Sequence, residues 1–319
     1  MLRIREHELN EDPEKIIYRI RQKLSMTAAP KVLDLFAGAG GLSEGFIRAG
    51  CEIISHIEMD KNSCSTLVTR MIYHALVKKG KLQEYENYIL GKVSRDELIK
   101  KYGLEQERDS VIWEEVGQNN YRKLIKKVKQ RLDGEQLDII VGGPPCQAYS
   151  HIGRARDERN MKWDHRKFLY RYYVEFLKAL KPKIFVFENV PGLTSSGKGR
   201  YLAEMRRLMK RAGYETDFRI LNTVDFGVPQ NRKRIILVGW NRKSKLTGYP
   251  YFPVSSNDYL VKHFLEDLPR LRAGKGRVLN EFFSTNQLLI ELGIINPNLP
   301  LLMEHVARPN TKQDLEIYR

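Results

Sequence analysis

Cysteine is scarce in this sequence, and what there is shows no pattern. Cys51, Cys64 and Cys146 are an odd number at no metal-binding spacing, so neither a disulfide framework nor a zinc cluster is indicated, and a reducing compartment is expected. Long apolar runs are missing too. No stretch reaches the roughly 18 unbroken apolar residues that span a bilayer, and the opening MLRIREHELNEDPEKIIYRIRQKL is charged throughout, without a signal-peptide core. No membrane partner and a cytoplasmic location are therefore expected. Repeats and low-complexity tracts are absent, and the 23 glycines and 13 prolines are spread evenly, which excludes collagen-like and broadly disordered classes. Acidic residues fall short of basic ones, 39 against 55, leaving a formal charge of +16. A polyanion is the natural partner of such a chain, although charge alone does not separate DNA from RNA.

What is present has a clear rhythm. Asp12-Pro13-Glu14 reads as a helix start, with Ile16, Ile17, Ile20 and Leu24 on one face, so residues 1–29 are expected to be an N-terminal helical extension. After Pro30 comes KVLDLFAG, an apolar run ending in glycines, which reads as a buried parallel strand. Similar runs follow at CEIISHIE, LDIIVGG, KIFVFENV and RIILVGW, with helical patterns such as 42–49 and 168–180 between them. Strand alternating with helix predicts a doubly wound, Rossmann-like α/β sheet with helices on both faces, spanning 30–242 and interrupted by a charged helical excursion over about 71–130. Beyond Trp240 the Pro- and Ser-punctuated YPYFPVSSNDY leaves the sheet, so 243–319 is expected to be a linker and the start of another region.

Four segments carry chemistry. Asp34-Leu35-Phe36-Ala37-Gly38-Ala39-Gly40-Gly41 stands where a strand meets a helix, and its glycines let the backbone approach a ligand closely. Glu58, closing the next strand, is placed to accept hydrogen bonds from ribose hydroxyls. The dinucleotide fingerprint wants a third small residue where Ser43 stands, which disfavours an NAD enzyme. In Gly142-Gly143-Pro144-Pro145-Cys146-Gln147, two glycines turn the chain and two prolines stiffen it, presenting Cys146 at the sheet rim. A free thiol, with a pKa of about 8.5, needs a basic neighbourhood to act as a nucleophile at pH 7. Glu188 ends a second parallel strand, so it and Cys146 come out at the same rim, where a carboxyl group can serve as an acid. Finally NTVDFGVPQNRKR offers Arg232 and Arg234, two residues apart, to a phosphate or a base carbonyl.

Taken in order, DLFAGAGG, GGPPCQAYS, FENVPG and DFGVPQNRKRIILVG resemble the cytosine-C5 DNA methyltransferase family over roughly residues 31–240. The resemblance implies S-adenosylmethionine as cofactor, with Phe36, Ala37, Gly38, Ala39, Gly40 and Gly41 along it, Glu58 on its ribose, Met59 and Leu169 packed on its adenine, and Pro144 beside it. Where the family places an Asp for the adenine amino group, this chain has Gln118-Asn119 at about the right place. The implied reaction has Cys146 add to cytosine C6, Glu188 assist at N3, Arg234 contact O2 with Arg232 its neighbour, and a methyl group arrive at C5. The partner is double-stranded DNA with the target base flipped out, and 148–156 is expected to close over it, with Ile152 as a wedge. The same residues would serve a tRNA cytosine, and a subunit without turnover of its own is the alternative of another class. The family's later Arg-Pro and Gly-Asn motifs are not found, so target recognition is expected to need a second subunit or further C-terminal sequence.

Overall fold

The computed structural model describes residues 28–145, 168–244, 248–254, 259–282, 284–296, 299 and 301–317. The expected helix from Asp12, the nucleophile Cys146 and the loop 148–156 lie outside these residues.

Two compact units are present. The first, to residue 221 and again over 233–252, is built on a seven-stranded sheet. Along the chain it runs β1 (Lys31–Leu35), α1 (Gly41–Arg48), β2 (Glu52–Glu58), α2 (Lys61–Lys78), α3 (Leu82–Ile89), α4 (Arg95–Tyr102), α5 (Glu105–Asp109), β3 (Val111–Trp113), α6 (Tyr121–Leu132), β4 (Ile139–Gly142), α7 (Leu169–Leu180), β5 (Ile184–Asn189), α8 (Arg200–Arg211), β6 (Tyr214–Asn222) and β7 (Lys233–Asn241). The spatial order is β3-β2-β1-β4-β5-β7-β6.

Both faces are covered, as the strand and helix alternation demands. Leu33 and Leu35 of β1, with Phe185 and Phe187 of β5, pack under α6, α7 and α8 through Leu124, Val128, Tyr173, Phe176, Met205 and Met209. On the opposite face Val32, Ile53, Ile139 and Val141 meet Leu42 and Phe46 of α1 and Met71 of α2. Strands buried on both sides are mostly apolar, which is why β4 reads as an unbroken run and β1 as one broken only by Asp34 after its first residue.

One expectation is corrected. RIILVGW forms β7 as predicted, but it lies antiparallel to β5, with Glu188 opposite Ile236, whereas β1, β2, β3, β4 and β5 are mutually parallel. A burial pattern carries no information about strand direction. The stretch 71–130 resolves into the end of α2, a small helical layer of α3 to α5 around Ile72, Leu76, Leu98, Ile99 and Leu104, the edge strand β3, and the crossover helix α6. Ser94 starts α4 with a reciprocal capping box to Glu97.

The second unit comprises 222–232 and 253–319. It holds α9 (Val261–Leu265), α10 (Gln287–Glu291), α11 (Lys312–Ile317) and the antiparallel pair β8 (Gly276–Glu281) and β9 (Leu301–Val306). Among the described residues no helix is long and apolar enough to cross a membrane.

Candidate active site

The glycine turn is built by β1, β2 and the start of α1. Phe36 leaves β1 at φ 57°, a left-handed conformation that costs a non-glycine residue about 1–3 kcal/mol and persists only where surroundings enforce it. Gly40, at φ 84°, caps α1; a Cβ there would stand 2.8 Å from Leu67 Cδ2 and 3.3 Å from Arg70 Cδ, so glycine is required on both counts. A Cβ on Gly38 or Gly41 would meet nothing within 4 Å, so this side of the turn is open to a ligand.

Glu58 closes β2 and is oriented by three backbone amides. Its Oε2 accepts from Gly38 N at 2.8 Å, and its Oε1 from Met59 N and Asp60 N at 2.8 Å each. The carboxylate therefore ties the end of β2 to the glycine turn, and its remaining lone pairs are free to accept from a diol. Met59 follows, 58% exposed despite its apolar side chain.

A cavity of about 500 Å³ opens beside this rim, of the size that holds a nucleoside-bearing ligand. Leu169, at the start of α7, lines it together with Gln118 and Asn119. It also contains Glu115, which the sequence reading missed. Glu115 stands two residues after β3, where parallel strands deliver ligand-binding groups, and recognising it required recognising a three-residue strand. The loop is held by Asn120, whose amide accepts from Gly117 N and donates to Glu115 O.

At the centre of the sheet, β4 and β5 bring the cysteine loop to Glu188. Leu35 pairs with Gly142, and a Cβ on Gly142 would collide with the Leu35 carbonyl oxygen. A Cβ on Gly143 would lie 2.7 Å from Glu188 Oε2 and 2.8 Å from Glu188 O. Both glycines thus let neighbouring strands approach more closely than any side chain permits. Asn189, 1% exposed, fixes the next step: its Nδ2 donates to Pro144 O at 3.1 Å, and its Oδ1 accepts from Val190 N at 2.9 Å. The residues leading to Cys146 are thereby clamped to the end of β5.

Arg234 completes the constellation. Its Nε lies 2.8 Å from Glu188 Oε1, with both side chains mostly but not fully shielded, at 23% and 30% exposure. Here the antiparallel direction of β7 matters. Only a strand entering from this end places its second residue beside the last residues of β5. Arg232, exposed, stands one residue before β7 and belongs to the second unit, where its carbonyl accepts from Thr223 N at 3.1 Å.

The residues present fit S-adenosylmethionine: an open glycine turn, an oriented carboxylate with spare lone pairs, and beside them a cavity that combines the apolar Val116, Phe168 and Leu169 with the polar Glu115, Gln118 and Asn119. The family model for C-5 cytosine-specific DNA methylases matches residues 30–92 and 102–298. The chain is 33% identical to the type II methyltransferase M.Bpa9945I of Bacillus paralicheniformis over 328 aligned positions, covering 90% of this chain and 73% of that protein. It is 36% identical to M.XorII of Xanthomonas oryzae pv. oryzae, covering 69% of this chain and 43% of that one. In fold it is similar to a crystal structure described as a DNA modification methyltransferase encoded within an E. coli prophage, with TM-score 0.58 and 20% identity, covering 91% of this chain and 75% of the other.

Proposed function

The chain belongs to the C-5 cytosine-specific DNA methylase family, and from that premise we propose that it methylates C5 of a flipped-out cytosine in double-stranded DNA through a covalent adduct with Cys146. The observation that carries the assignment is the cluster at the ends of β4, β5 and β7, where Gly143, Glu188, Asn189 and Arg234 converge on the backbone leading to the cysteine.

Bound S-adenosylmethionine supplies an electrophilic methyl group on a sulfonium. The turn from Phe36 through Ala37, Gly38 and Ala39 to Gly40 and Gly41 would hold it, Glu58 would accept from its ribose, and Met59, Leu169 and Pro144 would pack against it. Glu115, which lines the cavity, would accept from the adenine amino group, because a carboxylate offers only acceptors to a donor.

Cytosine C5 is a poor nucleophile until electron density is pushed into the ring. The Cys146 thiolate bonds to C6, the ring's π electrons shift, and Glu188 donates a hydrogen bond or proton at N3 where negative charge gathers. Arg234 aligns Glu188 and contacts O2, and Arg232 serves as its neighbour. Methyl transfer to C5 leaves a neutral thioether behind; the C5 proton then passes to water, the C6–S bond breaks, and the aromatic ring returns with the thiolate restored. Attack from the ring face requires the base out of the stack. Recognition of flanking sequence is assigned to the second unit, with a second subunit as its complement.

The test is methyl incorporation from tritiated cofactor into plasmid DNA and into tRNA, for wild type and Cys146→Ser. Incorporation into DNA is expected, abolished in the variant while cofactor binding persists. Labelling of tRNA alone would move the assignment to RNA, and a variant as active as wild type would remove Cys146 from the reaction.

A further inference from the structure

Beneath the glycine turn runs a buried polar row that the proposed reaction does not use. Asp34, the penultimate residue of β1, is 1% exposed, and neither carboxylate oxygen has a hydrogen-bond partner among the described residues. A carboxylate shielded from water and lacking donors is unfavourable as an anion, and buried polar groups are seldom left so. His56 pairs with it in register across β1 and β2, and Ser43 of α1 completes the row, each 1% exposed. The Ser43 hydroxyl donates to Gly40 O at 3.2 Å and lies 3.0 Å from His56 Nε2. The Ser43 hydroxyl stands between the Gly40 carbonyl, His56 Nε2 and the Asp34 carboxyl, and His56 Nδ1 has no partner among the described residues. The row thus fastens the cofactor turn at Gly40 and leaves Asp34 as its one acid.

We propose that Asp34 reads the charge of the molecule held in the glycine turn, staying protonated beside a neutral thioether and releasing its proton when a sulfonium binds, so that the site favours fresh cofactor over spent product. The inference rests on the cofactor assignment above and adds to it a residue that discriminates between the two ligands.

The electrostatics of the row agree. Burial pushes the Asp34 carboxyl up to about 7; the Ser43 hydroxyl offsets part of this, and the Glu58 charge adds to it. Burial, reinforced by the Arg70 guanidinium, pushes the His56 imidazole down to about 4, so it is neutral throughout the range in which Asp34 titrates. The other groups near the row are Glu44, Arg70 and His74 from α1 and α2 and, on the opposite face of the sheet, Tyr173 on α7, which feels the Asp34 charge. The first three close on one another, with Arg70 Nη1 and His74 Nε2 at 3.2 and 2.9 Å from Glu44 Oε2. A nearby cation favours the carboxylate form, so sulfonium binding lowers the Asp34 pKa. The proton leaves to solvent, and affinity for the cofactor rises with pH through about 7, then levels off. S-adenosylhomocysteine lacks the sulfonium charge and gains less.

Calorimetric titration of the full chain with S-adenosylmethionine and with S-adenosylhomocysteine, in buffers of different ionisation enthalpy, decides the matter. Between about pH 6 and 8 the wild type is expected to release more proton with the sulfonium than with the thioether, and its preference for the sulfonium to grow at least about threefold. Asp34→Asn should bind both ligands with that growth abolished, and it supplies the baseline for the ligands' own amino groups. Should the variant fail to fold, the wild-type difference between ligands still decides. A preference independent of pH, or an identical growth in Asp34→Asn, overturns the inference alone. If neither ligand binds, the cofactor assignment falls and this inference with it.

Discussion

Gly143 has no side chain because Glu188 occupies the space where one would go. Both the carboxylate and the carbonyl of Glu188 lie under 3 Å from a Cβ at that position, and the carbonyl belongs to a central strand that cannot yield. Gly143→Ala is therefore expected to displace Glu188 or the cysteine loop by a fraction of an ångström to an ångström. Misplacement on that scale costs roughly a hundredfold in turnover, while the Phe36 to Gly41 turn, on another strand, should keep its affinity for cofactor. Steady-state kinetics beside equilibrium binding check this, and an unimpaired turnover number would show that the close approach has no part in catalysis. At this scale much was legible beforehand. Glu58 and Glu188 announced themselves as carboxylates ending apolar runs, whereas Leu169 came only through the family resemblance. Glu115 did not, because its position depends on β3, and Val111-Ile112-Trp113 is too short to show a period.

Strands β1, β2, β4 and β5 were readable because strands inside a covered sheet carry mostly apolar residues, interrupted here only by a few polar ones such as Asp34, Ser55 and His56. β6 was not, since YETDFRILN mixes charge with half-buried residues and resembles a loop. The direction of β7 was hidden for a different reason: direction follows from the connection that precedes a strand, and its residues would look the same either way. That hidden fact delivers Arg234 to Glu188. Between β4 and β5 the joint is Asn189, which satisfies the Pro144 carbonyl on one side and the Val190 amide on the other. Asn189→Ala would strand both groups in a buried setting, an expected loss of about 1–3 kcal/mol. Asn189→Asp keeps the acceptor for Val190 but loses the donor to Pro144. Denaturant unfolding should rank wild type above both variants, with turnover falling more than cofactor affinity. Equal losses of turnover and cofactor binding would mean that the clamp acts on the whole sheet and not on the cysteine loop.

Across the whole molecule the surplus of 55 basic over 39 acidic residues is not spread over equivalent positions. Several cations are already engaged, among them Arg234 by Glu188, Lys123 and Lys127 by Glu114, and Lys31 by Glu52 and Glu135. Others are exposed on α8, where Arg207, Lys210 and Arg211 make a basic face that looks suited to DNA. Topology argues otherwise. A helix following a parallel strand starts at the catalytic rim and runs back toward the far edge of the sheet, so Arg200 begins near the rim and Lys210 and Arg211 end away from it. There they complement the negative end of the helix dipole. If the wild-type chain neutralises about six phosphates of a duplex, the logarithm of its affinity should fall against the logarithm of salt concentration with a slope near −5. Replacing Arg207, Lys210 and Arg211 together by alanine should leave that slope within about one unit of wild type, although it removes three charges, because none of the three meets a phosphate. A slope shallower by about three units in the triple variant would put the DNA across α8 and overturn the placement of the duplex at the strand ends.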